Sequence, residues 1–442
     1  MQSTQNSEAS DAARTEPAGP GEDDARVPVT VFCGFLGAGK TTLLRHLLGQ
    51  AATGGADGTG ARWAAVVNDV AAVNIDGAVV GADQASLAGA PGAAEIVELG
   101  NGCVCCSGAD DLGEAIARLA LEGRYEHIWV ETSGVADPRG VATLFTRKNP
   151  FGRALSDHAR LHALVTVIDV VALAGSAAEA AEPASAKIPN PKGSNPKGTE
   201  ATRRVPAGGG ERPVFELMLE QIECADVVVL NQCDRATEAG GEIARSEALV
   251  AGLNARAEVL RAERGQVAAE VFLGRARFDP AATLSSARWI RELNAITAPA
   301  AGAGGLVRRA APAGRPYHES KYGITSCVFR ARAPFDAEKL SRVFAEGLPG
   351  VIRAKGFFWT TRSPDEMGFV SVAGGVVRWE TLSVWWAARI ESGRARREDR
   401  PPSVVANWAE PHGDRRQEIV LIGVRLDEAA LSAALEECLV SL

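Results

Sequence analysis

Up to about residue 260, the 442-residue chain alternates short unbroken apolar runs with stretches of helical spacing. The runs cover residues 27–33, 63–67, 128–130, 163–168 and 226–230. Runs this short, rich in β-branched residues and lacking polar alternation, predict strands buried on both faces; helices are predicted over 42–48 and 215–224. Strand and helix in alternation predict an α/β domain on a mostly parallel sheet, with its ligand crevice outside the carboxyl ends of the strands. Beyond residue 254 the rhythm loosens, and residues 298–316 form a Gly/Ala/Pro linker that marks a domain boundary. A second alternation follows, with strands over 323–330, 350–359, 369–379 and 418–424, helices over 336–347 and 427–439, and a further segment at 383–390. That order predicts a smaller α+β domain. The organisation expected is a disordered tail over 1–26, a first domain over 27–297 with a flexible insertion at 175–212, the linker, and a C-terminal domain over 317–442.

Composition narrows the class. Hydrophobic residues make up 46% of the chain, enough for real cores, and the net charge of −8 argues against a nucleic-acid partner. No stretch approaches a membrane span of about 18 apolar residues, and the polar N-terminus carries Glu22, Asp23 and Asp24 where a signal peptide needs an apolar run. A cytoplasmic protein is the expectation.

The turn after the first strand reads Gly34-Phe35-Leu36-Gly37-Ala38-Gly39-Lys40-Thr41-Thr42, a complete phosphate-binding loop between a strand and a helix. Gly37 and Gly39, on either side of Ala38, let the backbone curl so that successive N–H groups of this loop face phosphate oxygens, and the following helix N-terminus reinforces them. Lys40 is expected to reach the β- and γ-phosphates, with Thr42 beside it, and the Thr41 hydroxyl to ligate Mg²⁺. This predicts a P-loop NTPase domain.

Three of the eight cysteines, Cys103, Cys105 and Cys106, fall within four positions after the turn Gly100-Asn101-Gly102. Thiolates at i, i+2 and i+3 can face one soft or borderline metal ion, and three of them leave one position of a tetrahedral zinc site for another ligand. The remaining five (Cys33, Cys224, Cys233, Cys327, Cys438) sit in apolar or helical patterns and read as small buried hydrophobes.

Other strand ends supply further parts. Asp69 follows the second run and Glu131 closes the third, both candidates to hold Mg²⁺-bound water or orient an attacking water. Val73-Asn74-Ile75-Asp76 has the character of a switch segment. Asn231-Gln232-Cys233-Asp234 resembles the guanine-reading N-K-x-D motif, with Gln232 in the lysine position, where its amide can still lie over the base. On the helix 215–224, Glu216, Glu220 and Glu223 form one acidic stripe, expected to be a solvated face.

Taken together with Glu98-Leu99-Gly100-Asn101-Gly102-Cys103-Val104-Cys105-Cys106 and Glu131-Thr132-Ser133-Gly134-Val135-Ala136-Asp137-Pro138, these motifs in this order resemble the CobW-type metallochaperone GTPases from residue 27 to residue 442. The resemblance implies slow GTP hydrolysis, with release of GDP, gating delivery of a metal, most often zinc, to a client metalloprotein. It implies Cys103, Cys105 and Cys106 as the metal site, Lys40 and Thr41 as phosphate and Mg²⁺ contacts, and Asp234 as the base reader with Asn231 beside it. Arg353-Ala354-Lys355-Gly356-Phe357-Phe358-Trp359 and Gly413-Asp414-Arg415-Arg416-Gln417-Glu418 resemble the branch linked to zinc limitation, which favours zinc over cobalt or iron. An activator for a cobalt or iron enzyme and a non-catalytic zinc buffer are the alternatives. The chain departs from the pattern at Ala72, where many relatives are acidic, in having only six scattered histidines, and in the insertion 175–212 with its near-repeat Asn190-Pro191-Lys192-Gly193 and Asn195-Pro196-Lys197-Gly198.

Overall fold

The structure is a computed structural model that describes residues 24–51, 61–68, 95–99, 108–148, 154–181, 204–207, 210–237, 240–274, 276–279, 305–308 and 324–440. Its first domain is built on seven strands: β1 (Val27–Cys33), β2 (Trp63–Asn68), β3 (Glu95–Leu99), β4 (His127–Glu131), β5 (Ala159–Asp169), β8 (Val227–Asn231) and β9 (Glu258–Arg261). They run in the order β3-β2-β4-β1-β5-β8-β9, and every pairing is parallel. The central strands are mostly apolar because helices cover both faces, and the polar residues among them, such as Thr30, His127 and Thr166, are buried too. On one face α1 (Lys40–Gln50) lays Leu43, Leu44, Leu47 and Leu48 over Phe32, Trp129 and Val165. On the other, α2 (Gly108–Leu121) lays Leu112, Ile116 and Leu119 over Val29, Val31 and Ile128.

Register puts the chemistry at one edge. Phe32 pairs with Glu131, so the end of β4 lies beside the start of the phosphate loop, and Asp169 pairs with Asn231 at the ends of β5 and β8. Asp169 then caps the helix α4 (Val170–Ala181), accepting from the Val171 and Ala172 amides at 2.9 and 3.1 Å. Asp137 does the same for α3 (Pro138–Leu144), which has proline in its first turn. The helix after the phosphate loop is longer than the 42–48 expected, because Gly39 in left-handed conformation starts it at Lys40.

The segment read as a flexible insertion is partly ordered. α4 runs through residue 175 to Ala181, and Arg204–Ala207 (β6) pairs antiparallel with Gly210–Pro213 (β7) before α5 (Val214–Cys224); residues 182–203 lie outside the described residues. α6 (Glu242–Leu253) follows β8, and α7 (Glu270–Leu273) follows β9.

The C-terminal domain is a six-stranded, wholly antiparallel sheet in the order β10-β11-β15-β12-β13-β14. Its strands are β10 (Gly305–Arg308), β11 (Ile324–Ala331), β12 (Val351–Phe358), β13 (Glu366–Ala373), β14 (Val376–Val384) and β15 (Gln417–Val424). Helices α8 (Ala337–Glu346), α9 (Trp386–Glu391), α10 (Pro402–Ala406) and α11 (Glu428–Glu436) complete it. Two expectations change. β10 lies inside the stretch read as a linker, and the single strand expected over 369–379 is a hairpin. Gly374 and Gly375, at φ 57° and 82°, make the two-residue turn that other residues resist.

One hydrophobic cluster crosses between the domains: Phe215, Leu219 and Ile222 of α5 share it with Ile324, Ile352 and Ala373 of the second sheet. Among the described residues no helix is long and apolar enough to cross a membrane.

Candidate nucleotide site and its link to the second domain

The loop from Gly34 to Gly39 turns on backbone that only glycine holds without strain. A Cβ on Gly34 (φ 142°) would sit 2.2 Å from the Val167 carbonyl oxygen, and one on Gly39 (φ 96°) 2.3 Å from Asn231 Nδ2. A turn bond from the Ala38 amide to the Phe35 carbonyl (3.2 Å) closes the loop, and the Leu43 amide donates to Gly39 at 2.9 Å as α1 begins. Lys40 is buried at the base of this curl. The Thr41 hydroxyl donates to Glu131 Oε1 at 2.7 Å, so the two oxygens that face each other across the loop are those expected at the Mg²⁺ ion. Open glycine backbone, a buried ammonium and a hydroxyl–carboxylate pair fit a triphosphate and a hard divalent cation.

Asn231 is a strut. Its Nδ2 donates to the Ala38 carbonyl at 2.8 Å, and its Oδ1 accepts from the Gly265 amide at 2.8 Å, so both ends of a fully buried amide are used to tie the phosphate loop to the turn after β9. The motif alone does not reveal this tie between two loops. Gln232 also differs from expectation. It adopts left-handed backbone (φ 61°), donates from Nε2 to the Gly37 carbonyl at 2.8 Å and accepts from Arg235, so its amide straps the loop and does not stand free to cover a base. Asp234 is exposed and faces Arg264 Nε at 3.4 Å. Arg235 pairs with Asp169 at 3.1 Å.

Asp69, the segment at 73–76 and the cysteines Cys103, Cys105 and Cys106 lie outside the described residues. The other five cysteines are free. Burial pushes the Cys33 thiol up to about 11 and Cys327 up to about 12, and raises Cys224 as well, so these thiols are protonated; Cys33, Cys327 and Cys438 are core, as the sequence pattern implied, whereas Cys224 and Cys233 are only partly buried.

The acidic stripe is not a solvated face. Glu216 and Glu220 are buried, and the three carboxylates meet cations that arrive from both domains. Glu223 accepts from Arg353 at 2.9 and 3.2 Å and from Lys355 at 2.6 Å; Glu220 lies 3.7 Å from Arg353 and 3.6 Å from Arg139; Glu216 accepts from Arg378 at 3.0 Å. Burial pushes the Glu223 carboxyl up, but Arg353 and Lys355 outweigh it and hold the group at about 2. Between these acids Gln221 donates to the Gly134 and Ala136 carbonyls, both at 3.3 Å. α5 thus grips the loop that follows Glu131 and, from adjacent turns, the second sheet.

The second domain's own motif is largely internal. Asp414 accepts from the Trp386 and Ala387 amides, Arg415 is bidentate on Glu391 (2.7 Å to each oxygen), and Arg416 and Arg330 share Glu418. Trp359 and Trp385 are core, whereas Trp379 is exposed on the edge strand β14 and Trp408 lies under Arg400 at 4.4 Å.

A parallel sheet whose first strand feeds a complete phosphate loop, with an Asn-x-x-Asp turn at the end of β8, two strands away across β5, defines a P-loop GTPase. Residues 28–261 match the family description "CobW/HypB/UreG, nucleotide-binding domain", and residues 324–439 match "Cobalamin synthesis protein cobW C-terminal domain". The chain belongs to the CobW family. It is similar to "Zinc-regulated GTPase metalloprotein activator 1" of Dictyostelium discoideum, 29% identical over 94% of this chain and 80% of that one. It also resembles "Zinc chaperone CobW" of Pseudomonas aeruginosa, 32% identical over 60% of this chain and 64% of that protein. Among solved structures, Zn(II)-bound YjiA GTPase from E. coli aligns over 93% of this chain and 99% of that one, at 17% identity and a TM-score of 0.33, too remote to add to the fold described above.

Proposed function

We propose that this protein is a cytoplasmic, GTP-hydrolysing metallochaperone that carries zinc as cargo on Cys103, Cys105 and Cys106 and delivers it to a client metalloprotein. The observation that carries the reading is the 2.7 Å contact between Thr41 and the buried Glu131. The Thr41 hydroxyl would hold the Mg²⁺ that accompanies the nucleotide, and its partner Glu131 heads the loop that α5 grips through Gln221. Loop amides from Gly37, Ala38 and Gly39, with Thr42, hold the phosphates, Lys40 places a cation against them, and Asp234 reads the base. Mg²⁺, when bound, supplies charge neutralisation on the phosphates. Glu131 and Asp69 orient the attacking water. Zinc as the cargo is supported by a donor set of three thiolates with one position left for the receiving ligand. Relatives that bear the names zinc-regulated GTPase metalloprotein activator and zinc chaperone point the same way.

The test is a competition titration of zinc against a chromophoric chelator on the full chain, with GDP and with a non-hydrolysable GTP analogue. Different zinc affinities in the two states are expected, matched by an equal effect of zinc on nucleotide affinity because linkage is reciprocal. Identical affinities would overturn the chaperone reading. Lys40→Ala should abolish hydrolysis, and normal GTP turnover by that variant would overturn the site.

A further inference from the structure

The lysine of the guanine-reading motif is missing here, and the residue in its place is already committed. Gln232 spends its amide on the Gly37 carbonyl and on Arg235, and it carries no charge. A cation nevertheless stands at the base reader. Arg264 Nε lies 3.4 Å from Asp234 Oδ2, and among the described residues Asp234 is its polar partner. Its backbone is held in an unusual state, at φ 50°. Only three non-glycine residues have positive φ among those described, and two of them are Gln232, two positions before Asp234 in the chain, and Arg264, which contacts it. Such conformations are strained and persist where surrounding structure over-determines them, often at ligand clamps.

That surrounding structure is visible. Gly265, next in the chain, donates its amide to Asn231 at 2.8 Å, and a Cβ there would sit 2.7 Å from the Leu43 nitrogen, so this turn is wedged between the strut and the first turn of α1. The turn is thus fixed to the phosphate loop's own scaffold. The side chain it presents is left 81% exposed. An arginine on a pinned backbone, exposed except for a contact with the base reader, is a group prepared for a ligand.

We propose that Arg264 is a specificity-determining residue of the nucleotide site, supplying the cation that the motif's lysine position lacks. Resting on the GTPase reading above, it holds the Asp234 carboxylate in the orientation that accepts two bonds from guanine, and its guanidinium plane covers the base. A carboxylate has lone pairs enough for both guanine donors and the arginine, and arginine stacks on flat rings where glutamine has no charge to offer.

The experiment is displacement of fluorescent GDP by GTP and by ATP, in parallel, on the full chain and on R264A, R264K and D234N, together with D234N/R264A. Arg264→Ala is expected to lower the GTP-over-ATP affinity ratio by about 5–10-fold, the size of one charge-assisted contact partly open to water. Arg264→Lys should restore part of the ratio, and Arg264→Ala should change it no further in the D234N background. Thermal unfolding of the nucleotide-free protein should be unaltered by R264A, which separates a ligand contact from a structural one. A parental ratio in R264A, or tighter GTP binding by it, would overturn the inference while leaving the GTPase reading intact. No preference for GTP in the unmutated protein would overturn both.

Discussion

Glu223→Gln removes one negative charge from the point where the domains meet, and the structure sets the size of the effect. The carboxylate takes three charge-assisted bonds, from Arg353 Nε and Nη2 and from Lys355 Nζ, and its carboxyl lies at about 2 against an ordinary 4.5. A difference of this size between folded and unfolded states corresponds to about 3 kcal/mol of stability at neutral pH. Removing one partner of a buried pair is expected to cost about 3–5 kcal/mol, and Glu220, 3.7 Å from Arg353, keeps the loss toward the lower end. The sign fixes the pH dependence. Because the folded carboxyl is depressed, its contribution is complete above the unfolded value near 4.5 and is lost as pH falls toward 2. Urea unfolding of parent and variant, followed by tryptophan fluorescence across pH 2–7, should show a gap of about 3 kcal/mol at pH 7 that closes through this window. Equal stabilities at pH 7, or a gap undiminished near pH 2, would refute the reasoning.

Burial pushes the Asp226 carboxyl up to about 7, so its ionisation opposes folding increasingly from pH 3.8 to 7. Asp226→Asn, whose amide oxygen can still accept from the Leu164 amide, should therefore raise stability at pH 8 by up to about 4 kcal/mol and leave it unchanged near pH 4; thermal unfolding at the two pH values decides. Gly39→Ala should abolish nucleotide binding in calorimetric titration while the far-ultraviolet spectrum stays native, since the added methyl displaces Asn231 and with it the loop's strut. Asn231→Ala should leave two loops untied, costing about 1–3 kcal/mol and weakening GTP and ATP alike, whereas a loss confined to GTP would mean that this side chain reads the base itself.

The parallel sheet was legible because its strands are apolar without alternation, a pattern that burial on two faces imposes and little else produces. The phosphate loop was legible for a related reason, since nearly every residue type in it answers to backbone geometry or to charge on the ligand. The roles of Asn231 and Gln232 were not. Their partners Ala38 and Gly37 lie 193 and 195 positions away, and only the fold brings them together. The acidic stripe misled because a helix face with three glutamates reads as solvated whenever its counter-charges are remote, and here Arg353, Lys355 and Arg378 follow by 130 positions or more. The Gly374-Gly375 hairpin could have been seen, as paired glycines between two apolar runs are a turn signal.

The matching of Glu216, Glu220 and Glu223 to Arg353, Lys355 and Arg378 also bears on how the protein can be divided. A fragment cut in the stretch before β11 would carry Arg353 and Lys355 on one strand face with no carboxylate opposite and an apolar patch around Ile352 and Ala373 uncovered; its other half would expose an α5 stripped of its counter-charges. Each piece would be both sticky and mischarged. For expression, for crystallisation and for assigning activities to halves, the natural unit of this chain is therefore the pair of domains together.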